Sequence, residues 1–411
     1  MGVETVILIC GYLFGFYMAW NIGANDVANS MASAVGAKAI TMRQAILIAG
    51  ILNIVGAVFV GSHVTKTICK GIVSADVMTD PTIAMLGALS ALLAAALWVS
   101  FATWKSLPVS TTHSIVGAMV GYGLVTGGFS VINWGKLGAV VASWIISPFF
   151  SFVLAYVMFK FIIIVIYNRE DASGAALRLS PLFVGLALFI VVLSFLFKTP
   201  LGQSLSLGVP AALVWAVILS AGGGYLSRYL INRCGLKHEG DETETVFRRI
   251  QIGTSCYVAL AQGANDVANA IGPLALIYFI VHSGSVAGVS NVPVPLTLLG
   301  FGGLGIAVGI AMAGRRVIET VGSKITHLNN TRGFSVDFAA ATTVMAASKL
   351  GLPVSTTHAA VGGVIGVGVA RGFDAVNFHV LYEIALYWVL TVPMAAITSM
   401  AIFKILKAVF F

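Results

Sequence analysis

The chain has 411 residues, of which 58% are hydrophobic and only 9% are charged, and its mean hydropathy is +0.98. Soluble domains carry about 45–50% apolar and about 25% charged residues, so this composition excludes a soluble globular protein and predicts an all-α polytopic membrane protein. The formal net charge is +8, and since most basic residues fall in short loops, we attribute it to membrane orientation and expect no nucleic-acid partner.

Apolar runs long enough to cross, or nearly cross, a hydrocarbon core of about 30 Å recur along the chain. They predict eight crossings, at residues 3–37, 44–64, 137–167, 181–198, 207–232, 250–284, 295–314 and 379–410. Two further regions, 83–127 and 336–371, each contain two apolar arms that meet at a PVSTTH sequence. Because the arms at 114–126 and 359–370 are too short to span alone, we predict two re-entrant helical hairpins, which brings the total to about 12 apolar segments.

Two repeated motifs divide the chain into halves. The sequence GANDVAN at residues 23–29 returns letter for letter at residues 263–269, and PVSTTH at residues 108–113 returns at residues 353–358. The two offsets, 240 and 245 residues, agree so closely that we infer one duplicated sequence. Each GANDVAN places an acid and two amides inside an apolar segment, so we expect a broken membrane helix at each copy.

The basic residues set the predicted orientation. Placing loop 233–249 in the cytoplasm collects fourteen of the 23 Lys and Arg on that side, as the positive-inside rule requires. Both termini then lie outside the cell membrane, and a first repeat (1–167) and a second repeat (245–411) are inverted relative to each other. A linking helix pair and the cytoplasmic loop occupy residues 168–244. Inverted repeats with broken helices are typical of secondary transporters, whose sites lie near the membrane midplane.

The GANDVAN motifs predict a cation site. A carboxylate at membrane depth costs roughly 2.5–3.5 kcal/mol on insertion scales, so such a group usually faces a cavity or a partner. Together with carbonyls freed where each helix unwinds, the acids and amides would form the all-oxygen cage that hard cations prefer. The predicted ligands are Asp26, Asn25, Asn29, Asp266, Asn265 and Asn269. The alternative is that each aspartate only pairs with a polar neighbour for structural reasons.

The PVSTTH sequences predict an anion site. Proline tolerates the first turn of a helix and serine or threonine is a favoured N-cap, so a helix should begin at each tip. A helix N-terminus presents free N–H groups and a positive dipole end to an oxyanion. Six hydroxyls add to them: Ser110, Thr111, Thr112, Ser355, Thr356 and Thr357. We expect a tetrahedral anion between the two tips, although one tip alone would suggest ordinary capping. His113 and His358 are either proton carriers or simple hydrogen-bonding neighbours.

These motifs, together with the run at residues 314–322 that leads to Gly333-Phe334-Ser335, closely resemble the inorganic phosphate transporter (PiT) family. The resemblance covers nearly the whole chain. It implies a sodium-coupled symporter of inorganic phosphate, built from two inverted repeats and commonly a homodimer. It also implies that Asp26, Asn29, Asp266 and Asn269, with the hydroxyls of both tips, form the phosphate and sodium sites.

Two positions depart from the family pattern. Many eukaryotic members carry an acid where this chain has Asn53, and the family usually carries a glutamate where this chain has Asp337. Asn53 replaces the carboxylate with an amide, whereas Asp337 keeps a carboxylate. We predict an accessory cation site at these two residues.

The combined prediction is a secondary active transporter of the plasma membrane that brings inorganic phosphate and sodium into the cell by alternating access. We expect no cofactor, because four scattered cysteines without a CxxC spacing suggest neither a metal cluster nor a disulfide frame. The alternatives are a proton-coupled phosphate or sulfate symporter and a passive anion channel. An intramembrane hydrolase is disfavoured, because neither PVSTTH copy offers an acid in sequence to orient its histidine.

Overall fold

The computed structural model describes residues 2–61, 80–198, 202, 204–233, 241–284, 294–349 and 354–410. Pro353 of the second PVSTTH sequence, residues 62–64 of the second predicted run and residues 234–240 of the predicted cytoplasmic loop lie outside this part of the chain. Within the described residues the fold is entirely helical, which confirms the predicted fold class.

Twelve α-helices form the described structure, and their positions follow the predicted apolar segments. They are α1 (Val3–Gly36), α2 (Met42–Val60), α3 (Pro81–Trp104), α4 (Thr111–Gly127), α5 (Trp134–Ile162), α6 (Ala172–Lys198), α7 (Val209–Arg233), α8 (Glu242–Ser283), α9 (Leu296–Glu319), α10 (Asn330–Lys349), α11 (Thr356–Val369) and α12 (Phe378–Phe410). Short π-helices at Ile163–Tyr167 and Thr320–Lys324 continue α5 and α9, and a 3-10 turn at Gly128–Val131 extends α4. Ten helices are long and apolar enough to cross a membrane, two more than the eight predicted crossings. The two are α3 and α4, and α4 with its 3-10 extension is longer than the predicted arm at 114–126; α10 and α11 are the exceptions among the twelve.

Both GANDVAN motifs lie inside uninterrupted helices, so the predicted helix breaks are wrong. α1 contains 34 residues and α8 contains 42, which at 1.5 Å per residue makes them about 50 Å and about 60 Å long. The polar side chains of the motifs find partners on other helices, so the backbone does not have to open to satisfy them. The freed carbonyls predicted from unwinding are therefore absent, with one exception in α8. Pro273 has no N–H, which leaves the carbonyl of Asn269 without its usual helical donor.

Helix starts are set by side-chain caps. Thr41 forms a capping box with Gln44 at the start of α2, and Asp80 caps α3 ahead of Pro81. Asp241 caps α8 by accepting a hydrogen bond from the Thr243 amide, so this helix begins eight residues before the predicted run. The polar loop is correspondingly shorter, and the predicted boundary at 244/245 falls within the first turn of α8.

The two halves pack against each other reciprocally. α1 of the first half packs against α9 of the second, and α8 of the second half packs against α2 of the first. The hairpin α3–α4 packs against α12, and the hairpin α10–α11 packs against α5. α6 and α7 pack mainly against one another, with α6 also touching α8 and α10. This reciprocal packing places each GANDVAN motif next to helices of the other half.

The first glycine of each GANDVAN motif permits this close packing. A Cβ atom added at Gly23 would lie 1.9 Å from the carbonyl oxygen of Ile306 in α9, and one added at Gly263 would lie 2.3 Å from the carbonyl oxygen of Asn53 in α2. No side chain fits at either contact. Glycine at these positions lets the helix backbones touch, as small residues do in membrane helix interfaces.

Candidate functional site

Each hairpin tip begins a helix at the predicted position. Ser110 is the N-cap of α4 and accepts a hydrogen bond from the amide of His113 at 3.2 Å. Ser355 caps α11 in the same way, accepting from the amide of His358 at 3.2 Å. The hydroxyl protons of both serines are not consumed by capping, because in each bond the serine oxygen is the acceptor. Both tips meet α1 and α8 at the level of the GANDVAN motifs.

The tips bond crosswise to the GANDVAN amides. Asn29 donates from Nδ2 to the hydroxyls of Thr356 and Thr357 at 3.1 and 3.0 Å. Its counterpart Asn269 donates to the hydroxyls of Thr111 and Thr112 at 3.3 and 3.2 Å. Each amide thus holds two adjacent threonines of the opposite half, and one site is assembled from both repeats.

The two aspartates lie at the centre of this arrangement. Asp26 accepts from Thr111 at 2.6 Å and from Thr357 at 3.4 Å, so its carboxylate touches both tips. Asp266 accepts from the neighbouring Asn265 at 3.0 Å, while its Oδ2 is buried without a hydrogen-bond partner in the described structure. Each residue is 1% exposed, and the charges of the two carboxylates influence each other.

No basic side chain neutralises these acids in the described part of the chain. The ion pairs found there, Arg178–Asp171, Arg315–Glu319 and His379–Glu383, are all at exposed positions. Two neighbouring buried carboxylates without a cation repel each other and lose their hydration. The arrangement therefore suits a bound cation better than the purely structural pairing that the sequence left open.

Asn25 has a different role from the one predicted. Its Nδ2 donates to the Thr103 hydroxyl at 2.9 Å and to the Leu107 carbonyl at 3.0 Å, and its Oδ1 accepts from the Val109 amide at 2.9 Å. These bonds hold the backbone that leads into the first tip, so Asn25 is a positioning residue for that tip. Asn265 donates to the carboxylate of the neighbouring Asp266 at 3.0 Å.

The two tip histidines pack against each other behind the threonines. The rings of His113 and His358 meet edge to face with centroids 4.6 Å apart. His113 also lies 4.1 Å from the ring of Trp144, and His358 stacks on Trp388 at 3.8 Å. Nδ1 of His358 lies 3.2 Å from the carbonyl oxygen of Trp144. These contacts pack the two tips against each other and against Trp144 and Trp388.

Asp337 lies in a second oxygen cluster that the sequence identified only in part. Its carboxylate accepts from Ser33 of α1 at 2.5 Å, and from Thr254 and Ser255 of α8 at 3.2 and 2.5 Å. The three hydroxyls were missed, although Ser33 follows Asp26 by seven residues, which places both on one face of α1.

Asn53 of α2 contacts α8 at a different position along that helix from the Asp337 cluster. It donates to the carbonyl of Ala49 in its own helix, and its backbone touches Gly263. Gly263 is nine residues beyond Thr254, or about 14 Å along α8. Asn53 and Asp337 therefore cannot share one ion, and the predicted accessory site reduces to Asp337.

One half-buried carboxylate outside these clusters was not singled out from the sequence. Glu244, in the first turn of α8, accepts from the Tyr167 hydroxyl at 2.5 Å and from the Asn330 amide at 2.6 Å. It also accepts from the Asn329 side chain and from Thr331. These bonds join the end of the first repeat to the starts of α8 and α10. The position of Glu244 at the start of a helix was the only sequence signal for this role. Acids are common at helix starts, so that signal does not single out Glu244.

Comparison with known proteins gives one consistent result. The model of the phosphate transporter family matches residues 22–399. A protein of Thermococcus kodakarensis that carries the provisional name of a phosphate permease is 50% identical, with the match covering 100% of both chains. A chloroplastic inorganic phosphate transporter of Arabidopsis thaliana is 42% identical over 93% of this chain and 69% of its own length. A solved structure described as the sodium-dependent phosphate transporter is 45% identical, with a TM-score of 0.89 over 98% of this chain and 99% of that chain.

Proposed function

The chain belongs to the phosphate transporter family, and we propose that it is a sodium-coupled symporter that carries inorganic phosphate across the membrane by alternating access. It is a multi-pass membrane protein and a transporter, not an enzyme. The observation that carries the proposal is the crosswise bonding of Asn29 and Asn269 to the threonines of the opposite tips. These hydrogen bonds bring two helix N-termini and two buried acids together in one site.

The two tips supply the groups that a phosphate needs. The amides at the start of α4 and α11 have no acceptor within their own helices, and the hydroxyls of Ser110, Thr111, Thr112, Ser355, Thr356 and Thr357 surround them. Hydrogen bonds to a charged oxyanion are shorter and stronger than neutral ones. A tetrahedral anion between the tips would accept from both halves together, with Asn29 and Asn269 at its edge.

The acids supply the cation ligands. Phosphate beside Asp26 and Asp266 would be strongly repelled unless cations were bound first, because the site is buried and weakly screened. We assign sodium to these two carboxylates, to the oxygens of Asn29, Asn265 and Asn269, and to the carbonyl of Asn269 that Pro273 leaves without its donor. Sodium binding then raises phosphate affinity, and by linkage phosphate raises sodium affinity by the same factor.

Asp337 is the proposed accessory cation site. Asp337 lies in the second half of the chain, whereas its partner Ser33 lies in the first. The first repeat has no equivalent acid, because the 245-residue offset between the PVSTTH sequences places Leu92 at the matching position. The central site therefore contains matching residues from both repeats, whereas the Asp337 cluster has no matching copy in the first repeat. An ion at Asp337 would bind or leave on the side facing the predicted cytoplasmic loop.

Several further features of the proposal rest on the duplication. The reciprocal packing of the halves favours inverted repeats that rock around the central site. The distribution of basic residues favours termini outside, loop 233–249 in the cytoplasm and a plasma-membrane location. A homodimer is proposed from the family resemblance, and size-exclusion chromatography with light scattering would test it.

The first experiment is uptake of labelled phosphate into proteoliposomes under an inward sodium gradient. Matched vesicles carry a potassium or a proton gradient, and excess sulfate serves as competitor. We expect accumulation that requires sodium and resists sulfate. Accumulation that follows the proton gradient or is blocked by sulfate would overturn the ligand assignment. Flux that only dissipates the phosphate gradient, whatever the cation, would indicate a passive channel.

A further inference from the structure

A cavity of about 550 Å³ lies between the linking helices and the two repeats. Its walls come from α6 and α7 on one side and from α8 and α10 on the other. Along α8 it extends from Arg249 to Val258, nine residues or about 14 Å of helix. The residues of the central site do not line this cavity, whereas Asp337 and Thr254 of the proposed accessory cation site form part of its wall.

The lining is mainly apolar, and Arg249 lies at one end of it. Val184, Ala187, Leu188 and Val191 of α6 face Ile250 and Val258 of α8 across the cavity. α6, α7 and α8 are each long and apolar enough to cross a membrane, so most of the cavity lies at hydrocarbon depth. Apolar walls favour apolar ligands. A hydrocarbon chain from the surrounding bilayer is the occupant that matches the walls.

The remaining end of the cavity is basic. Arg249 lines it and donates from Nη1 to the carbonyl of Ile231 at 3.0 Å. Arg228 and Arg233, both exposed, lie on the last turns of α7, the helix that contributes Ile231 to the cavity wall. One acid, Asp337, lies on the cavity wall itself, where three hydroxyls donate to its carboxylate. The acids at the start of α8, Asp241, Glu242 and Glu244, come at least five residues before Arg249, or about 8 Å along the helix.

This combination selects an anionic lipid. Basic pockets between membrane helices on the cytoplasmic side bind anionic headgroups, and a guanidinium pairs well with a phosphate. Free inorganic phosphate could meet the arginines but would leave the apolar length of the cavity empty. A zwitterionic lipid would fill the cavity but gain less from the arginines. We propose that the cavity binds one acyl chain of an anionic phospholipid, with the lipid phosphate at Arg249.

Two substitutions fill the cavity from opposite walls. Gly253 lies on the cavity wall, and a Cβ atom there would meet nothing within 4 Å, so Gly253→Leu places its side chain in the space without a clash. Ala187→Phe does the same from α6, a helix that carries no transport-site residue. Gly222→Leu is the matched control, because Gly222 is an exposed residue of α7 with equally open surroundings. Arg249→Gln removes the charge and keeps a donor for Ile231.

The test is native mass spectrometry of the purified full-length protein with phosphatidylglycerol or phosphatidylcholine of identical acyl chains. We expect wild type and Gly222→Leu to retain one phosphatidylglycerol in preference to phosphatidylcholine. Ala187→Phe and Gly253→Leu should lose that lipid, and Arg249→Gln should bind phosphatidylglycerol about fivefold more weakly. Undiminished retention in both filled variants would overturn the site. Equal retention of the two lipids by wild type would overturn the headgroup assignment. Neither result depends on which ion the protein transports.

Discussion

Asp26→Asn separates the charge of the central site from its shape. The replacement has nearly the same size, and its amide oxygen can still accept from the Thr111 hydroxyl, which lies 2.6 Å from the Asp26 carboxylate. The crosswise bonds of Asn29 to the second tip do not involve the lost charge. We therefore expect a folded protein with a thermal midpoint close to that of wild type.

The effect on cation binding should be large. A unit charge at 4 Å contributes about 4 kcal/mol at an effective dielectric constant of 20, and every 1.4 kcal/mol is tenfold in affinity, so the loss approaches about 1,000-fold. Asp26 is 1% exposed, so bulk water screens little of this energy. Removing one negative charge also reduces the repulsion between the site and phosphate. With sodium present, phosphate binding by Asp26→Asn should be weaker than in wild type, because the bound cation is lost. Because the repulsion is also smaller, phosphate binding should depend much less on sodium.

Two assays measure these effects. Uptake of labelled phosphate into proteoliposomes reports coupled transport, and calorimetric titration with phosphate at several sodium concentrations reports the linkage. Asp374→Asn is the matched control, because Asp374 is an exposed aspartate far from the tips. Sodium-driven uptake by Asp26→Asn at the wild-type rate would refute the assignment of sodium to this carboxylate.

Three further predictions follow from the same geometry. Thr111→Val combined with Thr356→Val should weaken phosphate binding at least about 100-fold, since each hydrogen bond to a charged group contributes roughly 1.5–3 kcal/mol. The sodium affinity of this double variant should change much less. Thr342→Val is the control. An unchanged phosphate affinity would show that the anion binds elsewhere. Gly23→Ala should destabilise the protein by about 1–3 kcal/mol, because its Cβ would lie 1.9 Å from the Ile306 carbonyl oxygen. Gly138→Ala, which meets nothing within 4 Å, is the comparison in thermal unfolding, and equal midpoints would contradict the close packing. Asp337→Asn should lower the number of sodium ions taken up per phosphate while leaving phosphate binding in place. An unchanged ratio of labelled sodium to labelled phosphate would exclude a transported ion at Asp337.

The central site was largely predictable because duplication marks it. A single polar motif in an apolar segment has many explanations, but GANDVAN and PVSTTH recur together at nearly equal offsets. Repetition thus identified the helix starts at Thr111 and Thr356. It did not show that Asn25 anchors the first tip through Thr103, Leu107 and Val109. Those partners lie 78 to 84 residues away in the chain, and helix packing decides which of them Asn25 meets.

The sequence by itself determined where the helices lie and which polar groups are buried, because hydropathy and capping act over a few neighbouring residues. Tertiary structure decided the rest. Both GANDVAN helices remain unbroken because Asn29, Asp26 and Asn269 find hydrogen-bond partners on the two tips, between residues 85 to 331 positions apart in the chain. Asp337 collects hydroxyls from Ser33 and from Thr254 and Ser255 in the same way. Such partners are set by how whole helices pack, and no local pattern along the chain encodes them.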